Sequence, residues 1–103
     1  MENLSTNEWR ESFKKNDNSK IIDVRTPMEW EGGIIEGAIK MDFNQQSDFL
    51  RFIKSLDLSK NYYVYCKSGI RSWHACQMME QIGLNTCNLK NGISCWDGPL
   101  TYS

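Results

Sequence analysis

One stretch of the sequence, residues 62–72, reads YYVYCKSGIRS. Its first four residues are aromatic or β-branched, which favours a β-strand, and Cys66 follows them directly. Apolar residues then recur at helical spacing as far as Gly83, a typical helix stop. These apolar residues are Ala75, Met78, Met79 and Ile82. The stretch therefore predicts a strand, a tight turn carrying a cysteine, and a helix.

Shorter strands and helices alternate on both sides of this stretch. Besides residues 62–65, strands are predicted at 21–24, within 34–41 and at 86–89. Capping boxes pair Ser5 with Glu8 and Thr26 with Glu29, so helices are predicted at about 6–15 and for two turns from Pro27. A third helix is predicted to be capped by residues 47–48. This alternation predicts an α/β fold with a parallel sheet and helices on both faces.

Length and composition limit the classes of protein that fit. The chain has 103 residues, 40% of them hydrophobic and 24% charged, which is typical of one globular domain, here 1–103. A net charge of −1 argues against a protein that binds nucleic acid through a basic surface. No apolar run is long enough to span a bilayer and no secretory signal is visible, so we expect a cytoplasmic protein without membrane contact.

The chain has four cysteines, and their spacing resembles neither a zinc site nor a disulfide framework. In a reducing cytoplasm we expect free thiols. Cys76 and Cys87 fall within a predicted helix and strand, where packing is the simplest role. Cys95 is expected to fill the core as well, although a resolving thiol is an alternative.

Cys66 occupies the position where parallel sheets bind ligands, at the carboxyl end of a strand. The predicted loop after it consists of Lys67, Ser68, Gly69, Ile70 and Arg71. Inward-pointing backbone N–H groups, the start of the following helix and two cations would favour a thiolate and bind an anion. A buried structural cysteine remains the alternative to this interpretation.

The loop 65–72 resembles the active-site loop of single-domain rhodanese-like sulfurtransferases. Residues 22–25, 29–30 and 33–38 resemble an earlier motif of that family, and residues 89–96 resemble its C-terminal motif. The resemblance extends from about residue 20 to 96. Two positions depart from the pattern: Ile34 stands where the family often has histidine, and Asn91 precedes Gly92 where two glycines are usual.

The resemblance implies a five-stranded parallel sheet flanked by helices and a cysteine, Cys66, that cycles through a persulfide. Cys66 would attack the sulfane sulfur of a small anionic donor such as thiosulfate and release sulfite. Backbone N–H groups from Lys67 to Arg71 would hold the transferred sulfur. Cyanide, a small thiol or a protein thiol would then remove it. This scheme uses no cofactor and no metal ion.

Two other functions remain possible for the same loop. Cysteine-dependent phosphatases and arsenate reductases, by resemblance, place arginine six positions after the cysteine, whereas Arg71 comes one residue earlier and Ser72 takes the sixth position. A non-catalytic sulfur-carrier or regulatory module is the second alternative, although such modules commonly lack the cysteine. His74 is predicted on the helix surface, and Asp23 with Arg25 is predicted to be structural.

Overall fold

Five parallel strands form the central sheet of the protein in the computed structural model, which describes residues 1–102. In chain order the strands are β1 (Glu2–Leu4), β2 (Ser19–Asp23), β3 (Ile34–Ile35), β4 (Ala38–Lys40), β5 (Asn61–Tyr65), β6 (Asn85–Leu89) and β7 (Leu100–Thr101). The helices are α1 (Thr6–Lys15), α2 (Pro27–Trp30), α3 (Gln46–Lys54) and α4 (Ile70–Gln81), with a short 3-10 helix at Ile93–Cys95. The sheet order is β1-β6-β5-β2-β4, and β3 pairs with β7 in a separate antiparallel ribbon. The predicted α/β fold with five parallel strands is confirmed.

The central strand β5 separates two apolar layers because its side chains alternate between the faces of the sheet. On one face Tyr62, Val64 and Cys66 pack with residues of α3 and α4. On the other face Tyr63 and Tyr65 pack with Trp9 of α1 and with residues that follow β6. Helices therefore cover both faces, as the alternation of elements predicts.

Two of the three predicted helix caps are confirmed. Both reciprocal capping boxes are present: Ser5 with Glu8 begins α1, and Thr26 with Glu29 begins α2. The predicted cap at residues 47–48 is wrong, because α3 already begins at Gln46 and no side chain caps it. Burial of Phe49 and Ile53 fixes this helix against the sheet, and Asp48 lies in its first turn, where a carboxylate complements the helix dipole.

Strand β1 was not predicted from its own residues. Glu2–Leu4 has no β-branched or aromatic residue, and it becomes a strand by pairing with β6, where Leu4 lies opposite Leu89. The chain then turns at Ser5 directly into α1. An edge strand of this kind depends on its neighbour rather than on local propensity.

No helix within residues 1–102 is both long and apolar enough to cross a membrane.

Candidate active site

The thiol of Cys66 lies at the carboxyl end of the buried strand β5, and only 1% of the residue is exposed. Two donors point to its sulfur. The backbone N–H of Gly69 donates to Sγ at 3.1 Å, and the hydroxyl of Ser72 donates to it at 3.3 Å. Hydrogen bonds from an amide and a hydroxyl stabilise negative charge on the atom that accepts them. The arrangement fits a sulfur nucleophile that becomes anionic.

The loop around this thiol is shorter than predicted. Helix α4 begins at Ile70, so Ile70 and Arg71 belong to its first turn and only residues 66–69 form the connection. Gly69 makes the sharp turn possible because its φ of 97° lies in the left-handed region that other residues resist. The backbone donor to Sγ, the N–H of Gly69, therefore belongs to the N-cap residue of α4.

A second segment of chain closes the loop from outside. The backbone N–H of Ile93 donates to the carbonyl of Cys66 at 2.9 Å. Ser94 donates to the carbonyl of Lys67 through its N–H at 3.1 Å and its hydroxyl at 2.7 Å. These bonds use the carbonyl oxygens of Cys66 and Lys67, while the N–H of Gly69 in the same loop donates to the sulfur.

The predicted loop residues separate into two groups. Lys67, Ser68 and Ile70 are exposed, whereas Gly69 is buried against the carbonyl of Lys90. Arg71 is partly buried and extends away from the loop to Glu29 of α2. The exposed members form the rim around the thiol, and Gly69 forms its base.

Arg71 and Glu29 form a two-pronged ion pair, with both N–O distances at 2.8 Å. Sequence reasoning did not pair them, because 42 positions separate the two residues. The guanidinium of Arg71 is the main cause that lowers the pKa of Glu29 to about 2; partial burial opposes this shift, and hydrogen bonds from Thr26 add to it. The charge of Arg71 therefore has a partner beside the loop.

This ion pair predicts a pH-dependent contribution to stability. Since the pKa of Glu29 falls from 4.5 to about 2 on folding, its contribution is complete above pH 4.5 and declines as the pH falls toward 2. Glu29→Gln is expected to lower the free energy of unfolding at neutral pH, and its difference from the wild type is expected to shrink across that interval. Urea denaturation at several pH values measures this effect.

The exposed neighbour Glu31 provides the matched control. Glu31→Gln is expected to leave the free energy of unfolding nearly unchanged at neutral pH. A constant difference between Glu29→Gln and the wild type from neutral pH down to pH 2 would contradict the assigned role of the ion pair.

Ser72 is a site residue that the sequence analysis did not assign. It lies six positions after Cys66, is fully buried, and directs its hydroxyl to the sulfur. The available indication was helical geometry, because a residue in the first turn after a tight loop can face back toward the residue before that loop.

Ser72→Ala is expected to slow reactions of the Cys66 sulfur by roughly ten- to a hundredfold, since a hydrogen bond to a charged group contributes roughly 1.5–3 kcal/mol. The measurement is the rate at which Cys66 reacts with a sulfane-sulfur donor, followed by mass spectrometry. Ser55→Ala, which removes an exposed hydroxyl at the end of α3, is the control. Equal rates in the two variants would show that the Ser72 hydroxyl does not stabilise the reacting sulfur.

Asn88 supports the base of the loop from β6. Its side-chain amide donates to the carbonyl of Gly69 at 3.1 Å and to the side-chain oxygen of Asn3 at 2.9 Å. Gly69 is thereby held by a buried side chain on one side while its own N–H reaches the sulfur. The edge strand β1 and its neighbour β6 thus contribute to the geometry of the site.

Asp23 and Arg25 have the structural role that we predicted. Their side chains form a buried ion pair of 2.7 Å, and Arg25 also donates to the carbonyls of Glu29 and Gly33. The hydroxyl of Tyr65 donates to Asp23, and burial together with that carboxylate raises the pKa of Tyr65. This cluster fixes α2 and the start of β3 against the sheet.

The other cysteines differ from one another. Cys76 and Cys87 are buried as predicted, and burial raises the pKa of both thiols, that of Cys76 to about 12. The prediction that Cys95 fills the core is wrong, because Cys95 is exposed. Cys95 lies in the 3-10 helix at Ile93–Cys95. The backbone of this helix is hydrogen-bonded to the active-site loop, which places the segment at the surface. His74 is exposed, as predicted.

Ile34, which departs from the resemblance, and Gly92, which follows the departing Asn91, have structural roles in this fold. Ile34 is buried and lies opposite Thr101 in the β3–β7 ribbon. Gly92 has a φ of 68°, and its α-carbon lies so close to the carbonyl of Lys67 that a side chain would not fit there. Packing therefore requires glycine at position 92. Within residues 1–102, no three His, Cys, Asp or Glu side chains are grouped so that they could hold a metal ion.

A family model described as "Rhodanese-like domain" matches residues 6–98. The chain belongs to the rhodanese-like domain family. The crystal structure of a rhodanese-like domain protein from Staphylococcus aureus superposes with a TM-score of 0.86 at 26% identity, covering 100% of this chain and 99% of that one. The resemblance that residues 65–72 carry is therefore confirmed at the level of the family.

Two relatives cover most of this rhodanese-like chain. The "Uncharacterized protein YqhL" of Bacillus subtilis is 34% identical over 101 residues, which are 97% of this chain and 75% of that protein. A protein of Allochromatium vinosum named "Sulfurtransferase" is 33% identical over 79 residues, 74% of this chain and 69% of that protein.

Proposed function

We propose that this single rhodanese-like domain is a sulfurtransferase that carries sulfane sulfur as a persulfide on Cys66. The observation that carries the proposal is the pair of donors on a buried Sγ, one from Gly69 and one from Ser72. A sulfur atom held between a helix N-terminus and a hydroxyl is stabilised when it becomes anionic. Family membership and the relative named sulfurtransferase support the same reaction class.

The first step loads the enzyme. The Cys66 thiolate attacks the outer sulfur of thiosulfate or a related donor, a new S–S bond forms, and the donor's S–S bond breaks. With thiosulfate, the electron pair of the broken bond leaves on sulfite, and Cys66 keeps an anionic persulfide. The N–H groups of the loop then face an anion that is one atom longer than the thiolate.

The second step unloads the persulfide. A nucleophile, either cyanide or a thiolate, attacks the outer sulfur, and the S–S bond to Cys66 breaks. Its electron pair returns to Cys66 as a thiolate, and the product is thiocyanate or a new persulfide. Both steps are exchange reactions at sulfur that need an accessible thiolate and a stable leaving group.

The position of Arg71 favours this reaction over phosphate ester hydrolysis. Both terminal nitrogens of its guanidinium donate to Glu29, so they are already engaged by a carboxylate. Arginine frequently binds phosphate oxygens through two parallel hydrogen bonds, and in this site Glu29 occupies those donors of Arg71. The loop of residues 66–69 instead directs one backbone N–H and one hydroxyl at a single sulfur.

Mass spectrometry after incubation with thiosulfate tests the proposal. We expect the intact protein to gain one sulfur atom, located on the peptide that contains Cys66, and to lose it on addition of cyanide with release of thiocyanate. Hydrolysis of an aryl phosphate, measured in parallel, should not exceed background. Phosphate release without a sulfur adduct would instead assign the phosphatase reaction.

A further inference from the structure

We propose that the sulfur acceptor is a protein whose reactive cysteine lies in an acidic segment, and that this segment docks beside the active-site loop. The inference rests on the proposed function and concerns the partner of the same site. The surface involved, called the docking face, consists of Ser68, Ile70, Trp73, Lys90 and Asn91. These residues line a groove of about 330 Å³ beside the loop that follows Cys66, together with Asn3 and Gly69.

The docking face exposes two large apolar side chains that the binding of a small donor or acceptor does not require. Ile70 is 66% exposed and Trp73 is 39% exposed, and the two are three residues apart on α4. That spacing places them on the same side of the helix, which starts at the catalytic loop. Exposed tryptophan and isoleucine beside a reactive group are typical of surfaces that bind another protein.

Positive charge beside the docking face favours an acidic partner. Lys90 lies in the groove, and Lys67 lies next to it in the loop; both are exposed. Within residues 1–102, neither ammonium group lies within 4.0 Å of a carboxylate. The carboxylate of Glu8 acts on Lys90 only from a distance and is hydrogen-bonded to Ser5. Two unpaired cations around an apolar centre complement an acidic segment with an apolar residue.

The depth of the thiol explains why contacts outside the loop matter. Since Cys66 is only 1% exposed, an acceptor sulfur must enter the loop to reach the outer persulfide sulfur. A small thiol has few further groups with which to contact the docking face. A protein segment can use binding energy from the docking face to hold its thiolate in line with the S–S bond.

The transfer step balances without an additional reagent. The acceptor thiolate attacks the outer sulfur of the Cys66 persulfide, the S–S bond breaks, and Cys66 departs as a thiolate. The acceptor becomes an anionic persulfide, so atoms and total charge are conserved and no proton is transferred. The docking face only positions the attacking atom.

Single-turnover kinetics with synthetic peptides test the inference. The protein is loaded with thiosulfate, freed of excess donor, and mixed with peptides that carry one cysteine and one leucine flanked by glutamates, glutamines or lysines. Each rate is divided by the rate of the same peptide with a small aromatic disulfide, which removes differences in thiol reactivity. We expect the acidic peptide to react about tenfold faster than the basic peptide at low salt, and added salt to reduce that ratio.

Two variants locate the effect, with cyanide as the acceptor that needs no docking. Trp73→Ala is expected to lower the rate of sulfur transfer to the acidic peptide by about fivefold. Lys90→Gln is expected to lower the ratio of the acidic-peptide rate to the basic-peptide rate by at least about twofold. Both should react with cyanide at wild-type rates. Loss of a different exposed side chain, in Leu58→Ala, should change none of these rates.

The outcomes separate the two proposals. If the protein gains no sulfur from thiosulfate, the proposed function fails before any peptide is added. If the loaded protein reacts with cyanide but treats all peptides alike, the docking inference is wrong and the function stands. The inference of an acidic protein partner would also be wrong if the basic peptide reacted faster than the acidic one. It would be wrong as well if a short RNA inhibited the peptide and cyanide reactions alike.

Discussion

Cys66→Ser is expected to lower the rate of sulfur transfer by at least about a thousandfold while leaving the fold in place. The loss follows from the chemistry, because a serine hydroxyl forms no persulfide and is almost fully protonated at neutral pH. The fold should persist because the backbone N–H of Gly69 and the hydroxyl of Ser72 can donate to a serine oxygen as they donate to Sγ. Thiocyanate formation and the intact mass after thiosulfate treatment measure the loss.

Cys95→Ser is the matched control, since Cys95 is an exposed thiol on the segment that closes the same loop. We expect this variant to gain one sulfur atom and to transfer it at the wild-type rate. Retained transfer by Cys66→Ser would remove Cys66 from the mechanism. A sulfur adduct that disappears only in Cys95→Ser would move the reaction to the other thiol.

The features predicted correctly from the sequence are those that short segments encode. The capping boxes of α1 and α2 each lie within four residues, and β5 is marked by its own aromatic residues. Cys66 could be singled out because strand, turn and helix follow one another without interruption. Local propensity and chain direction are sufficient for such features.

The features that were missed depend on contacts between distant parts of the chain. β1 exists because β6 pairs with it, and the ion pair of Glu29 with Arg71 joins residues 42 positions apart. The exposure of Cys95 follows from the return of the chain onto the loop, where Ile93 binds the carbonyl of Cys66. The apolar neighbour Trp96 favoured a core position for Cys95, but of these two residues it is Trp96 that packs against the core.

Gly69→Ala is expected to destabilise the protein strongly, although it adds only one methyl group. Gly69 has a φ of 97°, and a Cβ at this position would collide with the carbonyl of Lys90. Both residues belong to backbone that hydrogen bonds hold in place, so neither can move without disturbing the loop or β6. We expect the free energy of unfolding to fall by about 4 kcal/mol or more, measured by urea denaturation.

Gly37→Ala separates the two causes of this loss. Gly37 has a similar φ of 84°, but a Cβ there would meet no atom within 4 Å. Its substitution therefore reports the backbone strain alone, expected at about 1–2 kcal/mol. The remainder of the loss in Gly69→Ala measures how tightly the loop lies against the residues after β6.

Gly92→Ala tests the contact between the active-site loop and the residues after β6 from the side of those residues. This variant can be measured even if Gly69→Ala does not fold. A Cβ on Gly92 would collide with the carbonyl of Lys67, so a loss well above that of Gly37→Ala is expected here too. Losses in Gly69→Ala and Gly92→Ala no larger than in Gly37→Ala would show that the loop and the residues after β6 are not in close contact. The geometry assigned to the persulfide site would then be wrong, because the N–H of Gly69 reaches Sγ only while that contact holds the loop in place.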